Sequence, residues 1–511
     1  MQLSQLTLGR RDPAARLRTG GLDGVLVGVF AAFVSAAGAA RPSLWFDEAA
    51  TISAGTRTVG QLWGLLGNID AVHGAYYLLM HGWFMVFPAT EFWTRFSSCL
   101  AVGIAAAGVV ALARQFVGRT AAVTAGVVFA ILPRMTWAGI EARSYALTAA
   151  VAVWLTVLLV VSTRRQRPGL WAWYGVGLAL ATVLNVFMVL LVLVHAAHVA
   201  TLRARRPAVA WAVATGAAVT AVAPFLFFCR TQIAQVHWIS PLSAGTFGEI
   251  LKKQYFDQSL AFAMCAAAIL ALPLVFRRLR PTDPGAQALI RLALAWVILP
   301  TAVMLAYSAV FEPIYYPRYL TYTAPAMALL LGVCIVALVR TRERATAAVA
   351  VLAVAATPNF LVGQRGPYAK EGMDFSQVAD IVTAHAAPGD CLIMDNTTTW
   401  LPGPVRPLTA ARPEAYAKLV DPGRGARAAD RNRLWDAHLG IWGVADQVRK
   451  CTVLWTVSQR DGSVPDHQSG AGLDPGPRLR RAPAYQVPER MGFHIVERWQ
   501  FNFAQIAKST R

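Results

Sequence analysis

The sequence predicts a polytopic α-helical membrane protein of about eleven spans, with a soluble α/β domain at its C-terminal end. Three observations carry this. Of the 511 residues, 56% are hydrophobic and only 14% are charged, whereas soluble domains have about a quarter of their residues charged. Apolar runs of about the 20 residues needed to cross a bilayer recur along the chain. After residue 362 those runs stop, and Pro, Gly, Asp and Arg become frequent.

The runs place spans at 22–40, 94–113, 120–138, 145–162, 170–185, 187–202, 208–229, 259–276, 292–309, 320–339 and 345–362. The arginines orient them. Arg10, Arg11, Arg16 and Arg18 precede the first span, and alternate later loops carry Arg114 and Arg119, Arg164 and Arg165, Arg203 and Arg205, Arg277 and Arg278, and Arg340 and Arg342. The intervening loops are poorer in arginine. The positive-inside rule then puts the N-terminus in the cytoplasm and, after an odd number of spans, the C-terminal domain outside. The net charge of +20 is thus spread over inner loops. It forms no single basic patch, which argues against a nucleic-acid partner. No small-residue cleavage site follows the first span, so it reads as a retained anchor in the cytoplasmic membrane.

Residues 1–362 form the membrane domain on this reading, and 363–511 the outer domain. The first outer loop, 41–93, is long for a connector, and long ordered loops are usually functional. Within it, 74–88 is apolar but short and interrupted by Gly82 and Pro88, as expected for an interfacial segment. In the outer domain, Asp374–Ala386 has helical periodicity. Strands are expected at Cys391–Met394, Val453–Val457 and Phe493–Trp499, and a flexible loop over 462–488. Cys99, Cys265 and Cys334 fall within spans and Cys229 near a span end. Cys391 and Cys451 each open a predicted strand and could pair in an oxidising compartment. There is no zinc-type cysteine spacing, P-loop or dinucleotide fingerprint.

The densest functional signal is Trp45-Phe46-Asp47-Glu48-Ala49. Two adjacent carboxylates directly after a span are costly beside lipid unless they have a role. Asp47 reads either as a catalytic carboxylate or as the N-cap of the next helix. Glu48 cannot share its helix face, and orients a nearby cation or lies on the surface. Asp70 and His73 are three residues apart and could share a face. They read as an acceptor-binding pair, as ligands joining Asp47 and Glu48 around a divalent cation, or as a surface hydrogen bond. The spacing leaves metal dependence open. Tyr76, Tyr77, Trp83, Phe84, Phe92 and Trp93 form an aromatic series suited to a membrane interface or to sugar stacking. Glu141 and Arg143 lie at an outer span end, Arg318 and Tyr319 on a later outer loop, and Lys252 and Lys253 on another.

Four stretches together resemble the GT-C glycosyltransferases, in the bacterial branch of the protein O-mannosyltransferases and the aminoarabinose transferase of lipid A. They are Leu44-Trp45-Phe46-Asp47-Glu48-Ala49, Asp70-Ala71-Val72-His73-Gly74-Ala75-Tyr76-Tyr77, Glu141-Ala142-Arg143-Ser144-Tyr145 and Tyr316-Pro317-Arg318-Tyr319-Leu320. His73-Gly74-Ala75 departs from the family's His-Pro-Pro, so acceptor specificity does not transfer. The Trp-Trp-Asp motif of oligosaccharyltransferases is missing. The resemblance implies a polyprenyl-phosphate sugar donor, most often mannose, a lipid or protein hydroxyl as acceptor, and transfer with inversion at the outer face. Asp47 would be the base. Arg318, then Arg143, then Lys252 and Lys253 would bind the donor phosphate, with Glu141, Tyr76, Tyr77 and Tyr319 in support. The alternative is a secondary transporter or lipid flippase. Transporters usually show related halves and ionisable groups near the midplane; here no repeat is evident and the notable charges cluster outside.

Overall fold

Apolar helices fold into the membrane part, at the eleven places where the sequence puts spans. The structure is a computed structural model that describes residues 13–395 and 406–511, with side chains from residue 21 onward. Arg10 and Arg11, and the side chains of Arg16 and Arg18, lie outside the described residues. Among the described residues six helices are long and apolar enough to cross a membrane, and five more apolar helices are shorter.

The chain opens with α1 (Pro13–Ala36). The first outer loop folds as α2 (Phe46–Gly55), α3 (Val59–Leu66) and α4 (Gly74–Phe84). Then follow α5 (Glu91–Ala113), α6 (Arg119–Ile131), α7 (Pro133–Ala138) and α8 (Tyr145–Arg165). Helix α1 packs on α5 through glycine. A Cβ on Gly28 would lie 2.8 Å from the Gly103 carbonyl oxygen, and one on Gly103 2.7 Å from that of Gly28. Small residues let membrane helices approach this closely.

The expected span at 120–138 is broken. Helix α6 ends at Ile131, and Pro133 starts α7 at its first position. Proline has no N–H to continue the ladder and is suited to the first position of a helix. The 13 residues of α6 rise about 20 Å, short of the roughly 30 Å hydrocarbon core. The break lets α7 hold Arg134, which donates to the carbonyls of Lys253 and Gln254 and pairs with Asp257 at 3.3 Å.

The C-terminal part is built on a mixed sheet of β1 (Cys391–Met394), β2 (Val453–Gln459), β3 (His467–Ser469), β4 (His494–Gln500) and β5 (Ala504–Thr510), in spatial order β1-β2-β5-β4-β3. Only the β1–β2 pair is parallel. A helix, Phe375–His385, lies where the sequence predicts one. Cys391 and Cys451 are joined by a disulfide with Cα atoms 6.0 Å apart. The segment 462–488, expected as a loop, contains β3 and two short helices, Gly476–Arg481 and Pro483–Glu489. Each element is three to seven residues long, too short for its periodicity to stand out among the glycines and prolines.

The first outer loop and the C-terminal part share one hydrophobic core. Leu44, Trp45, Ala49 and Ile52 pack with Phe375, Val378, Leu392, Trp455 and Ile506. That core fixes α2, and Asp47 with it, against both parts of the chain.

Candidate active site

Helix α2 begins at Phe46, with extended Trp45 as its N-cap. Asp47 is therefore not the cap. It lies with Glu48 in the first turn, where the positive end of the helix favours carboxylates. Successive helical side chains diverge by about 100°, and the two acids part accordingly. Asp47 lines a cavity of about 950 Å³. Glu48 points into the protein and is fully buried.

Glu48 takes two bonds from Arg95 of α5, at 2.8 and 2.6 Å, and one from the Ala142 backbone N–H at 3.1 Å. Arg95 is also fully buried and donates to the carbonyls of Ala39, Pro42 and Ser43. The Thr51 hydroxyl donates to the Ala142 carbonyl at 2.8 Å. Helix α2 thus holds the backbone beside Arg143 from two sides. Glu141 is buried behind it, accepting from Trp45 Nε1 at 2.9 Å and from Lys370 Nζ at 2.5 Å.

Two arginines converge on Asp47. Arg143 Nη2 is 3.3 Å from one carboxylate oxygen and Arg318 Nη2 is 3.2 Å from the other. Arg143 also donates to the Tyr77 hydroxyl at 2.8 Å, which donates to Asp70 at 2.7 Å. The Arg318 guanidinium lies 4.9 Å from the Tyr316 ring, 5.2 Å from Trp45, 5.8 Å from Trp238 and 6.0 Å from Tyr145. Aromatic faces of this kind hold a cation without satisfying its N–H groups. Among the described residues the Nε atoms of Arg143 and Arg318 are buried and have no hydrogen-bond partner. Buried donors without a partner are rare and call for an acceptor.

Burial opposes charge on Asp47, but Arg143, Arg318 and, less, His73 outweigh it and hold the carboxyl below its ordinary range. Burial, with Arg143, pushes the His73 imidazole down to about 4, against the pull of Asp70 and Asp47. At neutral pH His73 is therefore a neutral ring. Burial raises the Tyr77 hydroxyl well above its ordinary value, so it stays protonated and can donate to Asp70.

Of the residues singled out from sequence, Asp47, Asp70, His73, Arg143, Arg318 and Tyr319 line the cavity. Tyr77 and Glu141 sit immediately behind it. Tyr76 is in the core beneath the loop. No ring of the series from Tyr76 to Trp93 lines the cavity; its aromatic lining includes Trp45, Phe46, Tyr145, Trp238, Tyr316 and Trp435 instead. Lys252 and Lys253 do not line it either. Their segment turns Gln254 and Tyr255 inward, bonded to Thr301 and Thr323, and leaves Lys253 paired with Glu249 at 2.8 Å. Among the described residues no group of three or more His, Cys, Asp or Glu is placed to hold a metal ion; Glu48 faces Arg95, so the imagined four-ligand set does not assemble.

Sequence reasoning missed Arg95, Lys370 and the rings around Arg318. Arg95 carried a signal, a charge inside an apolar helix. Trp45 and Tyr316 stood beside Asp47 and Arg318 in the quoted stretches. Lys370 and Trp238 stood in segments with no pattern.

No protein-family model matches the chain, and no curated protein matches its sequence. Solved structures do match its shape. ArnT from Cupriavidus metallidurans in the apo state aligns over 96% of this chain and 98% of its own, with a TM-score of 0.57 and 12% identity. The chain has the GT-C fold. The same protein bound to undecaprenyl phosphate aligns over 97% of this chain and 98% of its own, with a TM-score of 0.53 and 14% identity. The GT-C likeness therefore includes the C-terminal sheet as well as the membrane helices.

The strap joining these two parts of the GT-C fold is tightly held. The Arg365 guanidinium donates to the carbonyls of Ser35, Ala37 and Thr136. Lys370 reaches Glu141, and Asp374 accepts from the backbone N–H groups of Phe503 and Ala504, each at 2.7 Å. Gly372 turns it with φ +77°, and a Cβ there would lie 2.6 Å from the Phe503 ring. Gly372→Ala is expected to cost at least about 1–2 kcal/mol from the left-handed backbone alone. Thermal unfolding of the purified protein in detergent should register this as a lower Tm; an unchanged Tm would mean the strap is not part of the folded core.

Proposed function

We propose that this chain is an inverting glycosyltransferase acting at the outer face of the cytoplasmic membrane. It moves a sugar, mannose in the first instance, from a polyprenyl-phosphate donor to an acceptor hydroxyl on a glycolipid, lipoglycan or protein. The observation that carries this reading is Asp47 between two arginines whose buried Nε groups lack acceptors.

The chemistry follows from those residues. Arg143 and Arg318 bind the donor phosphate, and their forks suit two oxygens at once. The acceptor hydroxyl approaches the anomeric carbon from the side opposite the phosphate. Asp47 takes its proton as the new C–O bond forms and the bond to phosphate breaks. Polyprenyl phosphate leaves, with its charge held by the arginines. Without donor, the same arginines hold Asp47 weakly basic. A phosphate that draws them away makes Asp47 a stronger base when it is needed. Val186, Phe187, Leu226, Ile233, Val236 and Ile314 in the cavity lining give a prenyl chain apolar surface. ArnT, which shares the fold, has been solved with undecaprenyl phosphate bound, and that supports a lipid-phosphate donor here.

The test is incubation of purified protein with synthetic polyprenyl-phosphomannose and candidate acceptors, following released polyprenyl phosphate by mass spectrometry. Release that depends on protein and acceptor is expected. Movement of intact lipid between vesicle leaflets without release would instead favour the flippase reading.

The orientation belongs to the same proposal. An accessibility reporter fused after Arg511 is expected to be labelled from the outer side of intact cells. Labelling only after the membrane is broken would put the cavity on the cytoplasmic side and remove the outer-face reaction.

A further inference from the structure

The strap between the last membrane helix and the C-terminal sheet puts one acid into the cavity. Lys370 is 1% exposed, Met373 is 1% exposed and Asp374 is fully buried. Glu371, between them, is exposed and lines the cavity. Its backbone is left-handed, with φ +52°, directly before Gly372 at +77°. A non-glycine residue pays conformational energy there and keeps it only where its surroundings over-determine it. They do: Lys370 is rooted on Glu141 on one side, and Asp374 on Phe503 and Ala504 on the other.

Glu371 is also chemically unlike the other cavity acids. Asp47 is paired with two arginines and Asp70 accepts from Tyr77. Among the described residues Glu371 makes no ion pair or side-chain hydrogen bond, and its charge opposes ionisation of the Tyr316 hydroxyl. Tyr316 is one wall of the Arg318 cage. A free carboxylate near a phosphate site repels further anions and accepts hydrogen bonds from hydroxyls. Trp435, Met373 and Phe503, which also line the cavity, add apolar surface for the C–H face of a sugar ring.

We infer that Glu371 is a specificity residue that accepts hydrogen bonds from the ring hydroxyls of a neutral sugar. It would disfavour uronates and phosphorylated sugars in that place. The inference rests on the glycosyl-transfer reading, and the sugar can be the donor's or the acceptor's.

The experiment separates these. Binding of bare polyprenyl phosphate and of polyprenyl-phosphomannose is compared for the parent, Glu371→Gln and Glu371→Ala, together with the KM for methyl α-mannoside as acceptor. Losing a hydrogen bond to a charged group should cost on the order of tenfold. A tenfold loss for the sugar-bearing donor, with bare polyprenyl phosphate bound as before, places the contact on the donor sugar. A tenfold rise in acceptor KM, with both lipids bound as before, places it on the acceptor. Unchanged values throughout would overturn the inference. So would an equal loss for bare and sugar-bearing lipid, which means the strap has merely shifted. If the parent itself bound the two lipids equally and transferred nothing, the glycosyl-transfer reading would have failed first, a result distinct from any difference between variants.

Discussion

Asp47→Asn is expected to lower turnover by at least about a hundredfold, the usual contribution of a positioned base, while donor binding holds or tightens. The reason is local. Asparagine keeps the shape of the side chain but cannot take the acceptor proton. It also releases Arg143 and Arg318, which lie 3.3 and 3.2 Å from the carboxylate, to serve the phosphate alone. The pH dependence should carry the same signature. Arg143 and Arg318 outweigh burial and hold the Asp47 carboxyl below its ordinary value in the free protein. The profile of kcat/KM, which reports the free enzyme, should therefore stay flat on the acid side through the ordinary carboxylate range and fall only below it. The kcat profile reports the loaded enzyme and should fall at higher pH, because bound phosphate draws the arginines away. The stability term has a definite sign too: a depressed carboxyl stabilises the fold above its unfolded value and loses that contribution as pH falls through the folded one. Superimposable acid limbs would mean that the arginines do not move between carboxylate and phosphate.

Arg318→Ala is expected to weaken donor binding by about 2–5 kcal/mol, the typical cost of removing one partner from a desolvated charged contact. The acceptor KM should change far less. Arg318 sits among Trp45, Tyr145, Trp238 and Tyr316, so the alanine variant loses a cation that the rings had oriented. Lysine should restore only part of the binding. It keeps the charge but lacks the planar fork and stacks less well. Arg143→Ala should act in the same direction and also free the Tyr77 hydroxyl, which now accepts from it at 2.8 Å. Titration with polyprenyl phosphate, followed by isothermal calorimetry or native mass spectrometry, checks both. Parent-like binding by both alanine variants would put the phosphate elsewhere. Lys252 and Lys253 are poor substitutes in this fold, since neither lines the cavity.

The membrane helices were legible because lipid imposes one rule, a long apolar run for each crossing. Even the broken span at 120–138 carried its own mark in Pro133. The convergence of Asp47, Arg143 and Arg318 was legible for a different reason. Each was a charge at the end of a span, where composition makes charges scarce, and the quoted stretches grouped them before any geometry was known. The second layer was not legible. Glu48 and Arg95 are 47 residues apart, and Glu141 and Lys370 are 229 apart; no local pattern reports a partner at that distance. Strand β5 reads Ala-Gln-Ile-Ala-Lys-Ser-Thr. It is central, between β2 and β4, and largely buried despite its polar residues, so its burial comes from neighbours rather than from its own hydrophobicity. Glu371 stands in a segment with no sequence pattern of its own, and only the strap's anchors give it a direction.

If Asp47 drives inverting sugar transfer in this cavity, the anomeric configuration of the product is fixed by that of the donor. The most direct measurement uses synthetic β-linked polyprenyl-phosphomannose with purified parent and Asp47→Asn protein, and reads the anomeric configuration of the glycoside product by NMR. An α-linked product is expected from the parent and little or none from the variant, with the lipid still bound by both. A β-linked product, or α-linked product formed equally fast by Asp47→Asn, would contradict it.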